Sequence, residues 1–434
     1  MSLDWLALPG RALRGTLRVP GDKSVSHRAL MLGAIAEGTT RIEGFLEGAD
    51  TIATARILGQ LGVRMESPAP SRRLVHGVGL RGLRSSAGDL DCGNAGTGMR
   101  LLAGLLAGQA FDSRLVGDAS LSRRPMRRVI DPLVRMGARI DSEPGCVPPL
   151  RIHGKNALHA IDYEAKVSSA QVKSALLLAG LYASGVTAVR EPQPTRDYTE
   201  RMLAAFGCPI EFGPGWARLE GGHRLRATEV AVPADFSSAA FFLVAASLVP
   251  GSDLRIESVG INPRRTGLLE ALQRMGADIE VFDARESGGE PVADLRVRYA
   301  RLHGIELPPG IAPDMIDEFP ALFVAAALAT GESRFDGLAE LRVKESDRLA
   351  GMADALASLG CRVETGPDWA RIQGGKLSGG RVDSRGDHRL AMAMAVAAQC
   401  AAGPVRIGDC ANVDTSFPGF ARLSSSLGFG LESA

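Results

Sequence analysis

Two kinds of apolar pattern alternate along the chain. The first is a run that is apolar on nearly every side, as in SHRALMLGAIAEGTT (26–40), GTGMRLLAGLLAGQAF (96–111), SAQVKSALLLAGLYASGVT (169–187), SSAAFFLVAASLVPGS (237–252), FPALFVAAALATGES (319–333) and DHRLAMAMAVAAQCAAGPV (387–405). Each holds helix-forming residues, then a glycine (38, 108, 185, 251, 331, 403) where a helix would stop, then a β-like stretch. The second is amphipathic at helical spacing: IATARILGQLG, VIDPLVRMG, YTERMLAAFG, TGLLEALQRMG, LAGMADALASLG and GFARLSSSLG. These end at Gly62, Gly137, Gly207, Gly276, Gly360 and Gly428, between 68 and 84 residues apart. Short alternating stretches such as RIEGF, ADIEVF and CRVET read as strands.

The pattern predicts six similar units, each with a buried helix, an exposed helix and a few strands. A helix apolar all round must be enclosed by other elements. Three enclosed helices would make one domain and six would make two, in an α/β class. A continuous solenoid is the alternative, but its repeats usually run about 20 to 45 residues and are more regular.

Composition narrows the class of partner. Fifty cationic side chains stand against forty-nine anionic ones, for a net charge of +1, which argues against a nucleic-acid binder with a broad basic surface. Any strong positive field must be local. The six cysteines form no C-x-x-C and no regular framework, no secretory pattern opens the chain, and no apolar run is long enough to span a bilayer. The expectation is a soluble cytoplasmic protein with reduced thiols.

The buried runs begin with polar residues: Lys23, Ser24, His27 and Arg28; Asn94, Thr97 and Arg100; Ser168, Ser169, Gln171 and Lys173; Asp235, Ser237 and Ser238; Asp317 and Glu318; Asp387, His388 and Arg389. N-capping explains Ser, Thr and Asp. It does not explain Lys and Arg, which the helix dipole opposes at a cost of about 0.3 to 1 kcal/mol. Helix N-termini flanked by such cations suit phosphate or carboxylate ligands. Two further clusters, LSRRPMRRV (Arg123, Arg124, Arg127, Arg128) and LRVKESDRL (Arg342, Lys344, Glu345, Asp347, Arg348), and the segment PTRDYTERM with Arg196, read alone as solvated charge runs. Lys344 and Arg348, four apart, are expected to share a helix face with Glu345 beside them. The chain has no P-loop, GNAGTG at 93–98 lacks the G-x-G-x-x-G order, and there is no H-E-x-x-H, no zinc spacing and no G-x-S-x-G elbow. What remains is a protein that gathers anions without a metal or a nucleotide loop.

The segments PGDKSVSHRALML, DCGNAGTGMRLL, GDASLSRRPM, SSAQVKSALLLAGL, PTRDYTERML, MIDEFPAL, LRVKESDRL, GDHRLAMA and TSFPGF resemble, in order, the signatures of the enolpyruvyl transferase family, in its 5-enolpyruvylshikimate-3-phosphate synthase branch. The resemblance implies two similar domains, 23–236 and 1–22 with 237–434. Each would hold three βαβαββ repeats around buried parallel helices, an inside-out α/β barrel, with the active site in the interdomain cleft and the first strand belonging to the C-terminal half. It implies transfer of the enolpyruvyl group of phosphoenolpyruvate to the 5-hydroxyl of shikimate 3-phosphate, in a monomer needing no cofactor or metal.

Carried over motif by motif, the resemblance assigns shikimate 3-phosphate to Lys23, Ser24, Arg28, Ser169, Ala170, Gln171, Arg196, Asp317 and Lys344. Phosphoenolpyruvate falls to Lys23, Gly96, Arg124, Gln171, Arg348 and Arg389. Asp317 is the expected general base, with Lys23 and Glu345 as proton-relay candidates. Gly96 in GNAGTG leaves room beside phosphoenolpyruvate, which implies competitive inhibition by glyphosate. Asp414 stands where many relatives carry Lys, which puts one anion contact in doubt. The related transferase acting on UDP-N-acetylglucosamine is disfavoured, because its reactive-Cys loop corresponds here to GDASLSRRPM, which has Ser and no Cys. An RNA-end-processing protein on a similar fold would need a basic, aromatic-studded groove.

Overall fold

The computed structural model describes residues 3–154 and 157–433. Its strands form six separate four-stranded sheets, one for each repeat of the apolar pattern. The chain divides into two compact units, the first Gly21–Pro233 with Glu286–Glu290, and the second Met1–Pro20 with Ala234–Arg285 and Pro291–Ala434.

In the first unit the helices are α1 (Lys23–Ile35), α2 (Ala49–Gln60), α3 (Gly96–Ala107), α4 (Arg127–Arg135), α5 (Ala170–Gly180) and α6 (Tyr198–Ala205). α1, α3 and α5 are the runs apolar on every side, and from its third residue onward α1 is wholly buried. α3 lies against both α1 and α5. The amphipathic α2, α4 and α6 each bury one face only. The three sheets share one plan, a leading strand parallel to a central strand that runs antiparallel to a third, with a fourth at the edge. Around α1 the central strand Glu37–Glu43 pairs antiparallel with Arg72–Val78, setting Thr40 opposite Val75 so that both enter the core. Its parallel partner is Glu229–Ala231, so the last strand of the unit completes the first sheet.

The second unit repeats the plan with α7 (Phe236–Leu248), α8 (Gly267–Arg274), α9 (Phe319–Leu328), α10 (Arg348–Ser358), α11 (His388–Ala398) and α12 (Phe420–Leu427). α7, α9 and α11 pack on one another, and every residue of α7 is buried. Two of its sheets are completed from the chain's beginning. Arg14–Leu17 runs parallel to Asp253–Gly260, and Trp5–Leu8 lies between Val405–Gly408 and Gly430–Ser433 with Leu8 opposite Gly430.

All six glycines after the amphipathic helices have left-handed φ, from 81° to 116°, the conformation a β-carbon disfavours. The glycines after the buried helices are less uniform. Gly108 has φ −88°, and its reason is space: a β-carbon there would lie 2.3 Å from Cγ of Tyr182. Among the described residues no helix is long and apolar enough to cross a membrane.

Candidate functional site

In the first unit the polar helix starts are joined to one another. Arg28 of α1 donates from Nε to Thr199 Oγ1 at 2.7 Å, from Nη2 to Ser174 Oγ at 2.8 Å and from Nη1 to the carbonyl of Ser24 at 2.9 Å. Its guanidinium lies over the Tyr198 ring, 5.8 Å from the centroid. Burial lowers its pKa to about 10, with Glu200 opposing, so it stays charged at neutral pH. Arg100 of α3 donates to Gln171 Oε1 of α5 at 2.9 Å, and Gln171 Nε2 donates back to Thr97 Oγ1 at 2.8 Å. These bonds tie the starts of α1, α3 and α5 together through residues that apolar packing alone does not need.

Lys23 pairs with Asp50 of α2 at 3.0 Å. Arg124 donates to Asn94 Oδ1 at 2.6 Å, and Asn94 is itself held by Asp118 at 2.7 Å. Gly96 is the first residue of α3, and a β-carbon there would meet Nη1 of Arg124 at 3.0 Å and Nη1 of Arg100 at 3.1 Å. Ser169 caps α5 by accepting from the Val172 N–H, and Ala170 is the first helical residue. Arg196 is half-buried in the loop before α6.

Not every cation of these motifs joins the cluster. Arg123 and Arg127 are exposed. His27 is fully buried with Nδ1 2.8 Å from Thr54 Oγ1, and its pKa falls to about 3, chiefly from burial. It is a neutral core histidine.

The second unit gathers its groups around Asp317. This residue is not the N-cap of α9, a position taken by Glu318, whose side chain makes no capping bond. Asp317 Oδ1 instead lies 3.2 Å from Lys344 Nζ and 3.2 Å from Arg348 Nη1, and Oδ2 lies 3.6 Å from Arg265 Nη1. Arg389 donates to the Asp317 carbonyl at 2.9 Å. Arg348 is fully buried, pairs with Glu345 and lies 2.9 Å from Asp387. Burial works against its charge, but Asp387, Glu345 and Asp317 outweigh burial and raise its pKa. Asp387 caps α11 through the Arg389 N–H, and although burial opposes its ionisation, Arg348 holds its pKa low. Glu318 is buried beside Ser237 and Arg389. Burial raises its pKa, which Arg265 and Arg389 offset only in part.

One expectation is corrected here. Lys344 and Arg348 do not share a helix face, because α10 starts at Arg348 and Lys344 follows a 3-10 turn, Ala339–Val343. The cause is Asp347, which accepts the Ala350 N–H at 2.9 Å and so sets the helix start. The two cations converge on Asp317 rather than on a helix surface. Asp414 is exposed and accepts the Gly419 N–H at 3.1 Å, a loop contact.

Reading the sequence overlooked Asp50 and Arg265. Arg265 holds Asp235 at 3.0 Å and Ser237 at 2.7 Å as well as approaching Asp317. Its signal was the NPRRTG turn, two arginines directly before an amphipathic helix.

Comparison with known proteins covers nearly the whole chain. Residues 8–423 match the sequence profile of EPSP synthase (3-phosphoshikimate 1-carboxyvinyltransferase). Over 427 residues, 98% of each chain, it is 65% identical to a 3-phosphoshikimate 1-carboxyvinyltransferase of Xanthomonas campestris pv. campestris. It is 64% identical over 430 residues to that of Xanthomonas oryzae pv. oryzae, covering 99% of this chain and 98% of the relative. Among solved structures, an EPSP synthase from Acinetobacter baumannii superposes with a TM-score of 0.91 at 48% identity, covering both chains completely. The enolpyruvyl transferase NikO of Streptomyces tendae shares the fold at a TM-score of 0.82 and 18% identity, covering 100% of this chain and 99% of that one.

Proposed function

We propose, from the premise that this chain belongs to the EPSP synthase (3-phosphoshikimate 1-carboxyvinyltransferase) family, that its two cationic clusters serve one pair of substrates. The activity is transfer of the enolpyruvyl group of phosphoenolpyruvate to the 5-hydroxyl of shikimate 3-phosphate, a step of the shikimate pathway. Each substrate carries a carboxylate and a phosphate, and each phosphate brings roughly −1.5 to −2 charges near neutral pH. Such a pair needs several cations, which a chain of net charge +1 must concentrate locally.

Lys23, Ser24, Arg28, Ser169, Ala170, Gln171, Arg196, Asp317 and Lys344 receive shikimate 3-phosphate. Lys23, Gly96, Arg124 and Gln171, with Arg348 and Arg389, receive phosphoenolpyruvate. Asp317 takes the proton from the 5-hydroxyl as its oxygen bonds to C2 of phosphoenolpyruvate, and Lys23 or Glu345 supplies a proton to the methylene carbon. In the second half the methyl group returns a proton and the C–O bond to phosphate breaks. Much of the acceleration comes from holding both reactants in line. A cytoplasmic monomer of two three-repeat domains is sufficient for this reading.

The observation that carries it is Asp317. A carboxylate before a buried helix ordinarily caps it, whereas this one is spared that duty and oriented by Lys344 and Arg348, both at 3.2 Å. Phosphate release from phosphoenolpyruvate tests the substrate assignment when run with shikimate 3-phosphate and, separately, with UDP-N-acetylglucosamine. Release with the first alone is expected. Release only with the second would overturn it.

A further inference from the structure

One buried ion cluster lies behind the first unit's site and takes no part in the reaction steps. Lys173, on the second turn of α5, places Nζ 2.8 Å from Glu191 Oε2 and 3.0 Å from Glu200 Oε1, with side-chain exposures of 2%, 1% and 1%. Three charges removed from water would be a poor way to gain stability, since the desolvation of each ion offsets the attraction and an apolar cluster of similar volume does as well. One lysine also neutralises the charge of only one of the two carboxylates. Burial opposes its charge but the two glutamates outweigh it and raise its pKa, while burial raises the pKa of Glu200 despite Lys173.

The remaining bonds of the cluster show what it holds. Glu191 Oε1 accepts the backbone N–H of Ser169 at 2.8 Å, and Oε2 accepts the hydroxyl of Thr195 at 2.7 Å. Lys173 Nζ also reaches the Thr195 carbonyl at 3.4 Å. One carboxylate thus clamps the N-cap of α5 and the residue before Arg196. The neighbours of the two helical members face Arg28: Ser174 follows Lys173, Thr199 precedes Glu200, and both accept from the Arg28 guanidinium.

We propose that Lys173 and Glu191 are positioning residues for shikimate 3-phosphate, fixing the Ser169 backbone and the Thr195–Arg196 segment in the conformation that receives this substrate. The proposal rests on the assignment of Ser169 and Arg196 to that substrate. Neither Lys173 nor Glu191 touches the ligand. Their effect is selective, because the Gly96 and Arg124 contacts assigned to phosphoenolpyruvate lie outside the clamp and the Gln171 side chain is held separately by Arg100 and Thr97 of α3.

The test is steady-state kinetics on the full chain, varying each substrate at saturation of the other, for Glu191→Gln and Thr195→Val. The second variant removes one hydroxyl on a loop and safeguards the test should the first fail to fold. Glu191→Gln is expected to raise KM for shikimate 3-phosphate about tenfold or more, the size of one lost hydrogen bond to a charged group. Thr195→Val should move it in the same direction by less. KM for phosphoenolpyruvate should stay within about twofold, as at an untouched contact. Equal rises in both KM values, or an unchanged KM for shikimate 3-phosphate in folded variants, would overturn the proposal. Arg196→Gln separates this from the assignment beneath it: if that variant raises KM for shikimate 3-phosphate and the two clamp variants do not, only the positioning role is lost. If Arg196→Gln has no effect either, the substrate assignment falls with it.

Discussion

Arg348 and Asp387 form an ion pair that solvent does not reach, with Nε 2.9 Å from Oδ2 and side-chain exposures of 1% and 0%. The pair joins the first residue of α10 to the cap of α11, and the other arm of the guanidinium meets Asp317. Removing Asp387 takes away the most deeply buried of the three carboxylates that balance the Arg348 charge. Asp387→Asn keeps the shape of the capping side chain, yet should destabilise the protein by about 3 to 5 kcal/mol, read from the denaturation midpoint in urea. An unchanged midpoint would show that Glu345 and Asp317 suffice to balance Arg348.

Asp317→Asn isolates chemistry from binding. The amide can still accept from Lys344 and Arg348 but cannot take the hydroxyl proton. kcat should fall roughly 100-fold to 10,000-fold, the usual contribution of a general base. A kcat within about threefold of the unsubstituted protein would remove Asp317 from the role of base.

The helices were legible in the sequence and their partners were not. Long runs of helix-forming residues apolar on every side read as enclosed helices, and the six glycines after the amphipathic runs marked real helix ends because their φ is positive. Lys23, Arg28 and Arg389 stood out as cations where a helix start disfavours them, whereas Arg124 read alone as part of a solvated charge run and gained a role only through the family resemblance. Asp50, which meets Lys23, and Arg265, which approaches Asp317, did not stand out. Their partners are 27 and 52 positions away, and only the packing of one repeat element on another brings them together. The shared face expected for Lys344 and Arg348 failed for a local reason, since a charge spacing says nothing about which aspartate will cap.

Gly96 sets the room beside Arg124. A methyl group there would press on the ends of two flexible side chains, at 3.0 Å and 3.1 Å, so the fold should survive while both guanidinium groups shift. Gly96→Ala is expected to raise KM for phosphoenolpyruvate roughly tenfold and to weaken inhibition by glyphosate. Inhibition constants and KM values both unchanged would show that the methyl group is absorbed without disturbing the site.

His27 gives the protein an acid sensitivity with a defined window. Its folded-state pKa of about 3 lies below its ordinary value of 6.5, so between those limits the unfolded chain binds the additional proton. Stability should therefore fall as pH drops below 6.5, by up to about 1.4 kcal/mol per pH unit from this group. Burial is the main cause, and Lys23 and Arg28 add to it while Asp50 opposes. Urea midpoints at several pH values should decline less steeply for His27→Gln than for the unsubstituted protein. Parallel declines would assign the acid sensitivity elsewhere.

The proposed function assigns Arg196 and Lys344, distant in sequence, to the same small anionic substrate. Binding of shikimate 3-phosphate alone, measured by calorimetric titration of Arg196→Gln and of Lys344→Gln, tests it most directly. Each substitution should weaken the dissociation constant by about tenfold or more, as loss of one charge-assisted contact implies. A dissociation constant that responds to one substitution and ignores the other would contradict it.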